Sequence, residues 1–348
     1  MRYPGFWQRR GLTARLLWPL GRLVCAQAAR RRVRADRAVP ACPVIVVGNI
    51  TVGGTGKTPV VIALVEALRL AGYSPGVISR GFGVKVGIEP VDLAEVVDPS
   101  SCGDEPWLIY QRTSVPVMVH PRRSQAADQL RARYPEVDVI VSDDGLQHHR
   151  LRRTIEWAVV DGQRGLGNGW CLPAGPLREP SSVLTEVDAV LVNGGPPAEV
   201  LPAYVPGGWQ VDFILTVLVD AFDHREQPIA ALAGRAVLAV AGIGNPERFF
   251  AMLESHGMRV SGRALDDHAA PTRTQARAWM ADGRPVVITQ KDAVKWPEQP
   301  TRPGQLLIIQ GGIELPRGLV EETLETLATR ISGASSTESE PSSDNLTR

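Results

Sequence analysis

The sequence is poor in cysteine, with four in 348 residues. They are Cys25, Cys42, Cys102 and Cys171, and no two of them form a C-x-x-C pair. This scatter argues against a zinc cluster or a disulfide scaffold and is typical of a reducing cytosolic compartment. We therefore expect free thiols, most of them buried.

Acidic residues are almost absent from residues 1–40, which hold ten arginines and one acid, Asp36. This segment has a local net charge of +9, whereas the rest of the chain has a net charge of −8. Nucleic-acid enzymes more often spread positive charge along a groove. We therefore expect no nucleic-acid partner.

The same N-terminal segment lacks an apolar run that could cross a membrane. A spanning helix needs roughly 20 apolar residues, and Arg15, Pro19 and Arg22 interrupt this one. Leucine and aromatic side chains among arginines are typical of a helix that lies in the headgroup region of a bilayer. The alternative is a helix packed on the protein body with a solvated arginine face. We predict that residues 1–38 are a basic, amphipathic, membrane-associating segment.

The most informative motif is segment 44–58, VIVVGNITVGGTGKT. Its β-branched apolar start predicts a buried strand, and its end predicts the start of a helix. Glycines between them let backbone N–H groups surround phosphate oxygens, a geometry that the helix N-terminus reinforces. The usual P-loop pattern has glycine where this chain has Thr51. The predicted nucleotide-binding residues are Thr51, Val52, Gly53, Gly54, Thr55, Gly56, Lys57 and Thr58.

A second acidic motif follows the strand that we predict at residues 137–141. Asp143 and Asp144 end it in the manner of a Walker B element, whose acid holds Mg²⁺ directly or through water. A turn rich in Asp and Gly is the alternative. In a P-loop the Thr58 hydroxyl is also a Mg²⁺ ligand, and the lysine reaches the β- and γ-phosphates. We predict Mg²⁺ ligands at Thr58, Asp143 and Asp144, without ranking the two aspartates.

Strands that alternate with helical stretches predict an α/β fold with a mostly parallel sheet. A chain of this length has room for two domains, and the Gly- and Pro-rich segment 194–208 is a candidate boundary. We predict a P-loop core over 39–205 and a smaller α/β domain over 206–332. Residues 333–348 have too few apolar side chains to offset ordering entropy, so we predict a disordered tail.

Eight segments, taken in order, resemble the tetraacyldisaccharide 4′-kinase family, the lipid A 4′-kinases of Gram-negative bacteria. They are GNITVGGTGKTP, SRGFG, GDEP, HPRRSQA, DDGLQH, GNGWCLPAGPLREP, the pair Asp267-His268, and TQKDAVK. The resemblance covers about residues 5–330. It departs from the family pattern at Ala269, where a second histidine is frequent, and at Gln290, where the family has an acid.

The resemblance implies ATP-dependent phosphorylation of the 4′-hydroxyl of a tetraacylated glucosamine disaccharide 1-phosphate. It implies ATP and Mg²⁺ as cofactors, and a place on the cytoplasmic face of the inner membrane. It implies no protein partner. Carried over to this sequence, the catalytic residues are Asp104, His268, Lys57 and Arg123, and the substrate- or phosphate-contacting residues are Arg80, Arg178, Gln147 and Asp144. Asp104 would accept or orient the hydroxyl proton, and His268 would tune Asp104.

Without the resemblance, Asp104 could equally be a helix N-cap, and Arg178 could face solvent. Two other functions then stay open. One is a P-loop switch or assembly NTPase with no small-molecule acceptor. The other is a membrane tether that binds nucleotide without chemistry. The switch predicts slow nucleotide hydrolysis that a protein partner stimulates, and the tether would need no Asp104 or His268.

Overall fold

The structure is a computed structural model that describes residues 4–34, 42–81, 87, 89–96 and 101–337. The predicted boundary at 38–39, the SRGFG residues after Gly81 and the tail from 338 onward lie outside these ranges. The described helices are α1 (Leu12–Val33), α2 (Lys57–Leu70), α3 (Asp104–Thr113), α4 (Arg123–Arg133), α5 (Pro197–Val200), α6 (Pro246–Ser255), α7 (Arg273–Ala281), α8 (Gln290–Ala293) and α9 (Arg317–Thr337). Short 3-10 turns lie at Gly5–Gln8, Leu93–Glu95, Ser181–Thr185 and Ile229–Leu232.

A first sheet of eight strands has the order β3-β4-β2-β5-β1-β6-β7-β8. Its strands are β1 (Val44–Gly48), β2 (Pro75–Ser79), β3 (Val91–Asp92), β4 (Val117–Val119), β5 (Val139–Asp143), β6 (Ile155–Asp161), β7 (Ala189–Asn193) and β8 (Trp209–Val211). All pairs are parallel except the edge pair of β3 and β4. The central strand β1 lies between β5 and β6, so the P-loop leaves the middle of the sheet.

A second sheet of six strands has the order β10-β9-β14-β13-β11-β12. Its strands are β9 (Phe213–Asp220), β10 (Glu226–Pro228), β11 (Ala236–Ala241), β12 (Arg259–Ala264), β13 (Val286–Thr289) and β14 (Leu306–Ile313). Strand β9 pairs antiparallel with both β10 and β14, and the remaining pairs are parallel. The mixed α/β architecture with a large parallel sheet confirms the predicted fold class.

Both faces of the first sheet are covered, as a parallel sheet requires. Ile45 and Val47 face a core built with α2, α3 and α9, while Val44 and Val46 face the opposite core with α4. The C-terminal helix α9 therefore returns to the first sheet, although its residues fall in the range predicted for the second domain. Strand β8, also in that range, pairs with β7. The division into domains itself stays a prediction.

Backbone chemistry and pairing set the ends of three strands. Strand β4 begins at Val117, because the preceding Pro116 has no N–H to donate to a ladder. Strand β5 covers 139–143 rather than 137–141, because its parallel pairing with β1 continues to Asp143. Strand β14 extends to Ile313, because β9, which we did not predict, pairs with it from Leu307 to Ile313.

Two predictions were wrong. Cys25 and Cys171 form a disulfide with a Cα–Cα distance of 5.8 Å, while Cys42 and Cys102 are free and buried. The pairing joins residues 146 apart in sequence, so only the packing of α1 on the loop around Cys171 brings them together. Residues 333–337, predicted to be disordered, continue α9 to Thr337, because adding a residue to an existing helix costs less than starting one.

Candidate active site

The P-loop connects β1 to α2, and two of its glycines need a left-handed backbone. Gly53 has φ of +94° and Gly56, the N-cap of α2, has φ of +87°. A Cβ on Gly56 would lie 2.0 Å from Asn193 Nδ2. Thr51 has no such requirement, because it lies in an antiparallel bridge with Leu177. The absent P-loop glycine is thus explained by the local backbone.

Lys57 and Asp144 form the centre of a polar cluster at the carboxyl edge of the first sheet. Lys57 Nζ lies 3.4 Å from Asp144 Oδ1, and Arg178 donates to both Asp144 oxygens at 3.3–3.4 Å. Burial raises the pKa of Asp144, but Lys57 and Arg178 outweigh it and lower that pKa to about 2. Gln147 accepts from Arg178 at 3.3 Å and donates to the carbonyl of Asn49 at 2.9 Å. The structure therefore brings four predicted residues together beside the P-loop.

Asp143 lies deeper than Asp144. It is 2% exposed, and its Oδ2 accepts a hydrogen bond from the Ser79 hydroxyl at 3.0 Å. Its Oδ1 is buried with no hydrogen-bond partner among the described residues. Burial, Glu105 and Asp144 raise the pKa of Asp143 to about 7. A buried carboxylate oxygen without a partner is suited to a cation, so the residues present fit Mg²⁺.

No described group of three or more His, Cys, Asp or Glu side chains could hold a metal ion by itself. A P-loop magnesium needs no such group, because a hydroxyl, one or two carboxylates, water and the phosphates share the coordination. Thr58, in the first turn of α2, is the hydroxyl on this side of the site. The donor set is therefore that of a nucleotide-bound Mg²⁺ rather than an all-protein cage.

Arg123 lies behind Asp143 rather than beside the P-loop. It is 2% exposed, and its guanidinium donates to the carbonyls of His120 at 3.2 Å and Asp143 at 3.3 Å. Burial lowers the pKa of Arg123 to about 10, although Asp143 counteracts this. Arg80, by contrast, is exposed at the end of β2. Phosphate contact by these two arginines stays a prediction.

Asp104 and His268 lie together, although 164 positions separate them. Asp104 begins α3, and its Oδ2 lies 3.5 Å from His268 Nδ1 and 3.2 Å from Lys295 Nζ. Burial raises the pKa of Asp104, but the hydrogen bond from His268 and the charge of Lys295 outweigh it and lower that pKa to about 2. His268 has φ of +65°, a conformation that non-glycine residues rarely adopt. The carboxylate is therefore ionised at neutral pH.

Two residues close to the P-loop were not predicted from the sequence. Glu105 pairs with Lys291 at 3.0 Å. Burial raises the pKa of Glu105, but the charges of Lys291 and Lys57 outweigh this effect and lower that pKa. Asn193 donates to the carbonyl of Thr55 at 3.0 Å and so supports the P-loop. Glu105 adjoins Asp104 in the GDEP motif, and Asn193 ends a strand before two glycines. These two places in the sequence could have identified Glu105 and Asn193 as candidates.

A cavity of about 250 Å³ opens beside the P-loop, between the two sheets. Gly56, Lys57 and Thr58 line one side of it. Phe213, Ile243, Phe249, Met252, Ile309 and Ile313 supply apolar surface on the other side. Gly244 of the second sheet approaches the P-loop so closely that a Cβ there would lie 2.5 Å from the Gly54 nitrogen. The geometry is that of a phosphate-binding loop with an adjoining apolar pocket.

Comparison with known proteins gives matches along nearly the whole chain. Residues 13–328 match a family model described as LpxK, Tetraacyldisaccharide-1-P 4′-kinase. A tetraacyldisaccharide 4′-kinase of Bordetella petrii is 47% identical over 304 residues, which are 83% of this chain and 85% of that protein. One from Thiobacillus denitrificans is 46% identical over 309 residues, which are 84% and 89% of the two chains.

Among solved structures, an LpxK from Aquifex aeolicus, described as an "apo" form in complex with ATP, has a similar fold. The TM-score is 0.69 at 24% sequence identity, and the alignment covers 92% of this chain and 99% of the other. This similarity extends across both sheets, so it concerns the whole architecture rather than the P-loop alone.

Proposed function

Because the chain belongs to the tetraacyldisaccharide-1-P 4′-kinase family, we propose that it transfers the γ-phosphoryl group of ATP to the 4′-hydroxyl of a tetraacyl glucosamine disaccharide 1-phosphate. The product is the bisphosphorylated precursor of lipid A. The observation that carries the proposal is the Asp104–His268 pair, at 3.5 Å, in a chain that also has a P-loop. A nucleotide switch or a tether has no use for a carboxylate held in this way.

The chemistry needs alignment and charge stabilisation more than covalent catalysis. The 4′-oxygen forms a bond to the γ-phosphorus, and the bond from that phosphorus to the β–γ bridging oxygen breaks, so ADP leaves. Lys57 and Arg178 offset the negative charge on the phosphoryl oxygens. The hydroxyl proton passes to Asp104. A carboxylate with a pKa of about 2 is a weak base, so it accepts this proton late, as the phosphorus–oxygen bond forms.

Mg²⁺ belongs to the same proposal. Thr58, Asp143 and Asp144 would hold it, and the unpartnered Oδ1 of Asp143 makes that residue the preferred direct ligand. When bound, the ion neutralises charge on the β- and γ-phosphates. The apolar cavity beside the P-loop supports a place for the base of the nucleotide.

We also propose that the protein associates with the cytoplasmic face of the inner membrane through α1. Leu12, Leu16, Leu20 and Leu23 lie on one face of this helix and are 52–82% exposed. If α1 packed on the body through its apolar face, these leucines would be buried. Arg30, Arg31 and Arg34 are exposed at the end of the helix, where they can meet anionic headgroups. No helix in the described part of the chain is long and apolar enough to span a bilayer.

A single experiment tests the catalytic proposal. The purified protein is incubated with γ-labelled ATP, Mg²⁺ and the tetraacyl disaccharide 1-phosphate, and label is measured in the extracted lipid. We expect ATP-dependent labelling of the lipid at its 4′-position. Slow release of labelled phosphate that a protein partner stimulates, with no labelled lipid, would indicate a switch NTPase. Nucleotide binding with neither product would indicate a tether.

Vesicle flotation tests the membrane proposal separately. We expect the wild-type protein to float with vesicles that contain phosphatidylglycerol. Replacing Leu12, Leu16, Leu20 and Leu23 together by serine should leave most of the protein in the soluble fraction. Leu70→Ser is the matched control, because Leu70 is 90% exposed at the end of α2, away from α1. Equal flotation of the quadruple variant and the wild type would contradict the proposal.

A further inference from the structure

The TQKDAVK segment has no role in the chemistry described above, yet it contains two of the four lysines of the chain. Its residues form α8 and the turn after it, and three of them contact α3. Arg112 donates to Gln290 at 2.7 Å, Lys291 pairs with Glu105 at 3.0 Å, and Lys295 pairs with Asp104 at 3.2 Å. The segment therefore joins the second sheet to the helix that carries the catalytic carboxylate.

We propose that Lys295 is a positioning residue for the phosphoryl transfer: it holds the Asp104 carboxylate in a fixed orientation so that Asp104 can receive the proton of the acceptor hydroxyl. The inference rests on the proposed function, because it assigns a role within that reaction. Lys295 is not a catalytic residue in this scheme, because it acts on the substrate only through Asp104.

Lys295 is itself held in place before any substrate binds. Its side chain is 12% exposed, and Nζ contacts the carbonyl of Gly242 at 3.3 Å and Asp292 Oδ1 at 3.6 Å, besides Asp104. Asp292 is anchored in turn by the Gly242 N–H at 2.9 Å and the Thr289 hydroxyl at 2.6 Å. A lysine side chain ordinarily loses considerable rotamer entropy when it is fixed. Here that entropy is already lost in folding, so the ammonium is preorganised towards Asp104.

The two oxygens of the Asp104 carboxylate have different contacts. Lys295 and His268 both approach Oδ2, at 3.2 and 3.5 Å. Because both of these contacts are made to Oδ2, the proposal assigns Oδ1 to the hydroxyl proton. Two cationic or donor groups on one oxygen also fix the rotation of the carboxylate plane, which a single contact would not do.

The electrostatics agree with this geometry. Burial alone would raise the pKa of Asp104, yet His268 and Lys295 bring it down to about 2. Other charged groups near the pair are Lys291, Glu105, Asp267 and Asp292. Because an opposite charge within about 4–6 Å lowers a carboxyl pKa by roughly 1–3 units, removal of Lys295 should move that pKa upward.

The experiment compares Lys295→Met with Lys295→Arg. The methionine variant removes the charge but keeps most of the volume, and we expect kcat to fall at least about tenfold, with the Kd for ATP within twofold of the wild type. The arginine variant keeps a cation and should recover most of the lost activity. A protonated Asp104 cannot accept a proton, so the acid limb of kcat/KM should move to higher pH in Lys295→Met alone.

A double-mutant cycle distinguishes a role of Lys295 in positioning Asp104 from a role only in holding α8 against α3. If Lys295 acts through Asp104, then Lys295→Met should lower kcat no more than about twofold in an Asp104→Asn background. Arg112→Met is the matched control, since Arg112 also joins α3 to α8 but does not contact Asp104. Its effect should add to that of Asp104→Asn. Full additivity for Lys295→Met, or loss of thermal stability and ATP affinity with an unchanged pH profile, would overturn the proposal.

A measurement without substrate keeps the inference separate from the proposed function. The carboxyl titration of Asp104 can be followed by ¹³C NMR of aspartate-labelled protein and assigned by its absence in Asp104→Asn. It should move to higher pH in Lys295→Met and stay in place in Arg112→Met. An unchanged titration in Lys295→Met would refute the positioning role. Absence of lipid labelling by the wild type would instead refute the proposed function.

Discussion

Three aspartates within one site show how the immediate surroundings of a carboxyl group decide what it can do. Asp104 and Asp144 each face cations, and the pKa of each is lowered to about 2. Asp143 faces other carboxylates in a buried position, and its pKa is raised to about 7. The first two can therefore act as fixed anions at neutral pH. Asp143 gains most from a cation, because a bound positive charge would relieve its burial and its repulsion by Glu105 and Asp144.

The first prediction concerns Lys57 and Asp104. Each alanine variant should lower kcat by on the order of 10²–10⁴, a typical cost of losing charge stabilisation or acid–base assistance. Label transfer to the disaccharide lipid under saturating ATP is the measurement. Asp282→Ala is the control, since Asp282 forms an exposed ion pair with Arg284 away from the site. Wild-type turnover by Asp104→Ala would exclude Asp104 as the proton acceptor.

The second prediction separates backbone strain from a clash in the P-loop. Gly56→Ala places a Cβ 2.0 Å from Asn193 Nδ2, a side chain that is buried and bonded to Thr55 and Arg248, so it cannot simply rotate away. Gly72→Ala has a similar φ, +90°, but nothing within 4 Å. Gly72→Ala should therefore lower the free energy of unfolding by about 1–2 kcal/mol, the cost of a left-handed alanine.

Gly56→Ala should lower the free energy of unfolding by more than Gly72→Ala and weaken ATP binding as well. Denaturant unfolding and a nucleotide Kd for both variants make the comparison. If the two variants lose equal stability and bind ATP equally well, the contact with Asn193 is not a constraint on the P-loop.

Among the elements, α1 has the most unusual packing. Its small residues face the body: Ala14 and Gly21 are buried, and Cys25 is bonded to Cys171. Near its C-terminal end Arg32 is buried in ion pairs with Glu156 at 2.7 Å and Glu186 at 2.8 Å. Leu12, Leu16, Leu20 and Leu23 point away from the body. The helix is therefore attached through close backbone approach and charge, and this apolar face stays exposed.

The third prediction tests this close approach. A Cβ on Gly21 would lie 2.7 Å from the carbonyl oxygen of Cys171 and 3.2 Å from Ala174 Cβ. Gly21→Leu should therefore displace α1 and lower the free energy of unfolding by about 1–3 kcal/mol, the usual cost of overpacking. Ala26→Leu is the control, because Ala26 is exposed on the same helix. Thermal unfolding of both variants is the measurement, and equal values would show that α1 does not rest on this loop.

At the scale of the whole molecule, the candidate site is built from both sheets. The first sheet supplies the P-loop, Asp143 and Asp144 at the carboxyl ends of its strands, where parallel sheets place their ligands. The loops of the second sheet supply His268 and Lys295. Gly244, in a loop of the second sheet, lies against Gly54 of the P-loop, so the two halves of the candidate site touch at this point.

The fourth prediction concerns this contact. Gly244→Ala would place a Cβ 2.5 Å from the backbone nitrogen of Gly54, and backbone cannot rotate aside as a side chain can. We expect the loops to separate, with ATP affinity at least about tenfold lower, equal to about 1.4 kcal/mol. Gly11→Ala, where nothing lies within 4 Å and which does not line the cavity, should bind ATP as the wild type does. ATP affinity of Gly244→Ala equal to that of Gly11→Ala would show that the contact is not required.

Local sequence patterns determined much of this protein. The β-branched runs predicted the central strands, because a strand buried on both faces must be apolar along its length. The order of glycines, Lys57 and Thr58 predicted the phosphate loop, because its geometry is set by neighbours in the chain. Edge and antiparallel strands such as β9 were missed, because their half-exposed side chains give a weaker apolar signal.

Tertiary structure decided what depends on distant residues. Only folding brings His268 and Lys295 to Asp104, places Arg123 behind Asp143, and joins Cys25 to Cys171. Only folding shows that four leucines of α1, Leu12, Leu16, Leu20 and Leu23, face outward. Each of these contacts joins residues that are separated in the chain, and the spacing of such residues in the sequence does not predict that they pack together. The sequence by itself determined that the chain has a phosphate-loop motif, and the tertiary structure decided which side chains surround that loop and which charges they face.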